Sequence, residues 1–126
     1  MVLLWVRSDT IAVRLPLRRV LVEGPSMVPA LRHGDQVLVW WVRRPRPRPG
    51  VIVVVDLPQD RGLGVKRVRE VRPDGSMWVE GDNPLGSTDS RQFGLIGAPA
   101  HRGRVLLRLW PRPARIGAAK SPGGAP

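Results

Sequence analysis

The chain is expected to be mainly β, a small antiparallel β-barrel or sandwich core with little helix, on three observations. Five short stretches are rich in β-branched and aromatic residues and are bounded by Gly, Pro or Asp: "QVLVWWV" (36–42), "VIVVVDL" (51–57), "LGVKRVREV" (63–71), "SMWVEGD" (76–82) and "GRVLLRLW" (103–110). "RPDGS" (72–76) stands between two of them and reads as a hairpin turn, because Asp-Gly supplies the positive φ that such turns need. Long helical periodicity is absent.

Taken in order, the N-terminal segment "MVLLWVRSDTIAVRLPLRR" is the one place that reads as a short helix, up to Leu17 and limited by Pro16. Its apolar run stops at Arg7, whereas a membrane span needs about 20 residues and a signal-peptide core about 7 to 15. Residues 1–20 are therefore expected to be a segment without a membrane span. "VIVVV" is also far too short to cross. "RRPRPRPG" (43–50) alternates arginine with proline, so it is barred from a central strand and reads as an extended, solvated connection. Residues 21–110 carry the strand signals and form the expected core. "PRPARIGAAKSPGGAP" (111–126) has too little apolar content to pack and reads as a disordered tail.

A chain of 126 residues makes one domain and buries about two thirds of its unfolded surface, enough for a core without staples. It has no cysteine, which removes thiol nucleophiles, disulfides and thiolate metal sites. Lys+Arg number 21 against 10 Asp+Glu, a formal charge of +11 that draws the protein toward polyanions and anionic surfaces. That charge is spread along the chain, so a nucleic-acid-binding β module is the competing class, and it predicts salt-sensitive affinity indifferent to the serine discussed next.

In "VEGPSMVPALRHGD" (22–35) a lone serine, Ser26, sits in a Gly/Pro-rich bend, where serine commonly serves only as turn chemistry. A nucleophilic serine needs a group to take its proton. His33, in a turn, and His101, near a loop, read as surface residues. The chain has two lysines, Lys66 and Lys120, and the second lies in the expected tail. Lys66 stands in strand-like "GLGVKRV", in a protein that otherwise uses arginine. Arginine stays charged, but a buried lysine can be driven neutral and accept a proton. Alternation leaves open which face Lys66 takes. "GDNPLGSTDSRQFG" (81–94) then adds three hydroxyls, two carboxylates and an arginine to a loop with glycines at both ends.

In succession, "GPSMVPALRHGD", "VKRV", "GDNPLGSTDSRQFG" and "GRVLLR" resemble the blocks of type I signal peptidases, which are serine–lysine proteases. Within that family the chain looks most similar to the nickel-type superoxide dismutase maturation proteases, which have a short catalytic core and continue into "LLRLWP"-like sequence. The resemblance implies a mostly β serine endopeptidase that removes an N-terminal propeptide from a precursor, with superoxide dismutase maturation as the main reading and secretory signal-peptide cleavage as the alternative. It makes Ser26 the nucleophile, Lys66 its general base and Ser87 the hydroxyl that orients the lysine. Arg67, Asp82, Asp89 and Arg91 match charged positions that brace the site.

Three departures accompany the resemblance. The N-terminal membrane anchor of many signal peptidases is not seen here, and Gly24 stands where some members carry a hydroxyl that helps the oxyanion hole, so backbone N–H groups including that of Ser26 take over the task. The large domain that some relatives insert between the lysine and the last block is also missing. A self-cleaving SOS-repressor-type protease shares the serine–lysine pair, but the long block from Gly81 does not suit it. The expectations are completed by no cofactor and no metal, a monomer in the cytoplasm (alternatively membrane-associated), a precursor protein as partner, no specific nucleic acid, and at most peripheral membrane contact.

Overall fold

A computed structural model describes residues 2–6 and 11–116. The chain forms β1 (Val2–Val6), β2 (Ile11–Leu15), β3 (Leu17–Leu21), β4 (Gln36–Trp40), β5 (Ile52–Leu57), β6 (Gly62–Val71), β7 (Met77–Glu80) and β8 (His101–Trp110). One short helix, α1 (Ser90–Phe93), and single 3-10 turns at Pro84–Gly86 and Ala98–Ala100 complete it. The mainly β class expected from the sequence is the class that forms, and the five predicted strands are β4 to β8.

The N-terminal helix does not form. β1 and β2 pair antiparallel with Val2 opposite Leu15 and Val6 opposite Ile11. The β-branched residues Val2, Val6, Ile11 and Val13 fit a pleated surface better than a helix, and pairing overrides the apolar run. Beyond β8 the chain does not leave the fold at once. Arg108 and Ala114 exchange two backbone hydrogen bonds, and Ile116 packs against the core. Low apolar content concealed this, because one isoleucine suffices to anchor the turn. The rest of the expected tail, from 117, lies outside the described residues.

The six remaining strands make one antiparallel sheet in the order β3-β4-β8-β5-β6-β7. β5 explains the shape: Ile52, Val53, Val54 and Val55 are all buried, so this strand has core on both faces. Ile52 and Val54 pack with Val22, Met27, Leu31 and Val39, whereas Val53 and Val55 pack with Val68, Met77, Val79 and Ile96. Each such side chain contributes about 1.5–3 kcal/mol when fully buried. Register shifts between Leu38 and Val39, Val54 and Val55, and Val68 and Glu70 bend the sheet around these two clusters.

The hairpin at 72–76 closes as expected, with Arg72 N donating to the Ser76 carbonyl at 2.8 Å and Asp74 Oδ1 accepting from the Ser76 N–H at 2.9 Å. β6 is ten residues long and β7 only four. β7 therefore covers Arg67–Val71, and among the described residues the stretch Gly62–Lys66 pairs on one side only, with β5. That uncovered edge borders the site.

Candidate active site

Ser26 is set by its neighbours on both sides. Pro25 precedes it, and Met27 and Leu31, both fully buried, pin the following turn to the core. Leu31 N donates to the Met27 carbonyl at 2.9 Å. The bend is clamped from the other end of the chain, because Asn83 N donates to the Ser26 carbonyl at 2.9 Å and Asn83 Nδ2 to the Pro25 carbonyl at 3.2 Å. Gly24 holds φ 80°, a conformation in which any residue with a side chain is strained, and its N–H donates to His33 Nδ1 at 2.9 Å. Ser26 is half-buried, and its hydroxyl has no hydrogen-bond partner among the described residues.

Lys66 lies in β6 opposite Val53 of β5 and is 5% exposed, so it points inward. Its Nζ donates to Ser87 Oγ at 2.9 Å. Ser87 Oγ in turn donates to Asp89 Oδ2 at 2.6 Å. Burial lowers the lysine's pKa from its ordinary value; the Asp89 carboxylate pulls it back up, and the Arg91 guanidinium pushes it down. Ser26 and Lys66 line one cavity of about 460 Å³, together with Val20, Val22, Val54, Leu57, Leu63 and Val65. The apolar wall around Lys66 is thus built by residues of β3, β5 and β6.

Asp89 is the hub beneath the lysine. It is completely buried and accepts from Ser87 Oγ, from Gly81 N at 2.8 Å, from Arg91 N at 3.0 Å, and from the Arg91 guanidinium at 2.9 and 2.6 Å. Burial alone would raise its pKa, but these hydrogen bonds outweigh it and hold the carboxyl well below the usual carboxylate range. Local sequence explains the placement: "DSRQ" is a capping box in which Asp89 caps α1 and its N–H donates to Gln92 Oε1 at 2.9 Å.

The four charged candidates separate into two pairs. Asp89–Arg91 reaches Lys66 through Ser87. Arg67–Asp82 does not touch that chain: the guanidinium grips Asp82 through two bonds at 2.9 and 2.8 Å and donates to the Gly50 carbonyl at 2.8 Å, tying β6 to the turn before β5. Arg67 is 2% exposed, so this pair is a buried brace.

Three positions were not singled out from the sequence. Gly81 is where the segments meet, since a Cβ there would overlap the Ser87 side chain and the Ser26 carbonyl. Asn83 clamps the serine bend, and the hydroxyl of Ser90 accepts from Val79 N at 2.8 Å to fix α1 on β7. "GDNP" signals a turn, but only the third dimension shows that it closes on residue 26. His101, expected at the surface, is 3% exposed, because β8 begins at that residue and carries it inward beside Val55. His33 is exposed as expected.

Comparison with known proteins gives consistent relatives. A family model described as Peptidase S24-like matches residues 5–93. The chain is 34% identical over 115 residues to the mitochondrial ATP-independent inner membrane protease subunit 1a of Arabidopsis thaliana, covering 71% of this chain and 68% of that protein. It is 32% identical over 127 residues to the mitochondrial inner membrane protease subunit 1 of Xenopus tropicalis, covering 83% and 76%. Subunit 2 of Danio rerio is 35% identical over 114 residues, covering 71% and 62%.

Proposed function

This chain belongs to the Peptidase S24-like family, and from that premise we propose that it is a serine endopeptidase with a Ser26/Lys66 dyad that removes an N-terminal segment from a precursor protein. The observation that carries the reading is a buried lysine in the same cavity as an unpartnered serine hydroxyl, with Ser87 as its hydrogen-bond acceptor. Ser87 has a single hydroxyl proton, and that proton is given to Asp89. Ser87 therefore accepts from the lysine amine and leaves the amine's lone pair free.

In the proposed reaction neutral Lys66 takes the Ser26 proton as Oγ attacks the scissile carbonyl carbon. The carbonyl oxygen becomes an oxyanion facing backbone N–H groups, including that of Ser26. Collapse breaks the C–N bond, the leaving amine takes the proton from Lys66, and an acyl-enzyme remains. Water, deprotonated by Lys66, attacks the ester carbon; the C–Oγ bond breaks, Lys66 returns the proton to Ser26 Oγ, and the carboxylic-acid product leaves. The precursor lies as an added strand between the segment before Ser26 and the uncovered edge at Gly62–Lys66, where main-chain hydrogen bonds place the scissile bond.

The relatives favour leader-peptide cleavage at a membrane, the alternative reading above, over maturation of a nickel-type superoxide dismutase, since those reported are inner membrane protease subunits. Among the described residues no helix is long and apolar enough to cross a membrane. The relatives' names nonetheless favour a reaction at a membrane surface over one free in the cytoplasm, and their designation as subunits favours a protein partner over the monomer expected from sequence. The deciding experiment incubates the chain with secretory precursors and with a superoxide dismutase precursor and reads new N-termini by mass spectrometry. Cleavage of secretory precursors, abolished by Ser26→Ala, is the expected result. Cleavage of the dismutase precursor alone reverses the choice, and cleavage that survives Ser26→Ala overturns the dyad.

A further inference from the structure

A second pocket, of about 280 Å³, lies between the arginine–proline segment and the start of β8 and plays no part in the chemistry above. Arg43, Arg44, Arg46 and His101 line it, over an apolar floor that includes Val71 and Met77, and no carboxylate is among its lining residues. None of the three arginines pairs with a carboxylate among the described residues. Arg43 Nε donates to the His101 carbonyl at 3.2 Å and Arg46 to the Pro73 carbonyl at 3.5 Å, which anchors the segment at both ends of the pocket. Pro45 and Pro47 stiffen it between and beyond these anchors.

The second observation comes from His101. Its side chain is buried, and Nε2 is the one buried side-chain nitrogen or oxygen among the described residues without a hydrogen-bond partner. A buried polar atom left unsatisfied is rare in native structures and calls for an occupant. Three guanidinium groups without a carboxylate partner around a small cavity, beside a buried imidazole whose Nε2 has no partner, point to an anion with several acceptor oxygens. A carboxylate offers two coplanar oxygens and a single charge, which suits one guanidinium fork better than three guanidinium groups on different sides of a cavity. A phosphate offers at least one more oxygen and up to two negative charges, and it matches converging arginines.

We propose that this pocket binds a phosphate group, held by Arg43, Arg44 and Arg46 with His101 as a fourth partner. The phosphate is either free, as the inorganic ion or a monoester, or the headgroup of an anionic phospholipid. The site is independent of the peptidase reading, since no residue is shared.

The chain has two histidines, so each imidazole reports separately. The full-length protein, ¹⁵N-labelled, is titrated at fixed pH with inorganic phosphate and, in parallel, with sodium chloride of equal ionic strength. Phosphate should move the His101 resonances saturably and leave those of His33 in place. The double variant Arg44→Gln/Arg46→Gln, at exposed positions outside the catalytic cavity, should keep precursor cleavage and weaken phosphate binding by at least about tenfold. A His101 response no larger than chloride produces, or an unchanged titration in the double variant, overturns the site. A second arm uses phosphatidylcholine vesicles with and without phosphatidylglycerol. Co-sedimentation that needs the anionic lipid, is competed by phosphate and is lost in the double variant assigns the headgroup. A phosphate response without such co-sedimentation assigns the free ion or monoester.

Discussion

Lys66 and Arg67 are neighbours in β6, both cationic by type and both almost fully buried, yet the fold treats them in opposite ways. Arg67 receives a two-pronged carboxylate and a backbone carbonyl, so its charge is matched where it lies. Lys66 receives one hydroxyl, and the nearest carboxylate, Asp89, is already committed to Arg91, Ser87 and two backbone N–H groups. Burial is common to both; the partner decides how strongly the charged form is favoured, and for Lys66 burial lowers the pKa. One residue braces the sheet, and the next is the one proposed above as a base.

The largest effects test the buried lysine. Ser26→Ala and Lys66→Ala are each expected to lower kcat/KM for precursor cleavage by at least about a thousandfold. Lys66→Arg should fail as completely, because a guanidinium in the same niche stays protonated. Turnover in Lys66→Arg near the parent's would erase the distinction between the two neighbours.

Next comes the junction that brings the lysine's partner against the serine bend. Gly81→Ala places a methyl where Ser87 and the Ser26 carbonyl already sit, and displacement of order an ångström in such a site costs about a hundredfold in kcat. The check is single-turnover cleavage on protein shown by circular dichroism to be folded. Near-parental kcat would mean that the spacing of residues 26 and 87 is not critical.

The paired arginine should show itself in stability. Arg67→Met leaves Asp82 without its partner at 14% side-chain exposure and is expected to lower unfolding free energy by about 3 kcal/mol, read as a fall in the urea midpoint. Lys66→Met should leave that midpoint at or above the parent's, since it removes a buried group that favours the unfolded state when protonated. Equal destabilisation by both substitutions would break the contrast.

Much of this was legible in the chain, for physical reasons. β4 to β8 and the hairpin at 72–76 follow from β-branched runs and an Asp-Gly pair, which are local signals. Lys66 stood out because a lone strand lysine among arginines is chemically distinct. What stayed hidden depends on the third dimension. Arg67, Asp82, Asp89 and Arg91 are four charges in sequence, and only the sheet shows that they make two pairs with different tasks. Gly81 and Asn83 look like turn residues until the turn is seen closing on Ser26. β1 and β2 were missed because each is strand only by virtue of the other, and His101 because a residue after a Pro-Ala turn gives no sign of which way β8 will carry it.

The smallest effect is the most specific to Lys66. Its pKa is lowered first by burial, is raised by Asp89 and is lowered again by Arg91. Arg91→Gln removes the last contribution and also strips Asp89 of the guanidinium that neutralises it. Both changes favour the ammonium, so the lysine's apparent pKa must rise. Because the free amine is the active form, kcat/KM climbs with pH through that pKa, and the limb should lie below the ordinary lysine value of 10.5 in the parent and move to higher pH in the variant. At neutral pH kcat/KM should fall by several-fold, and the loss should be recovered on raising the pH. The same shift lowers the penalty that Lys66 imposes on folding: that penalty is full below its native pKa and fades as pH rises toward 10.5, so a higher native pKa makes it smaller. An acid limb that stays fixed, or moves to lower pH, would show that Arg91 supports Asp89 structurally without tuning the base.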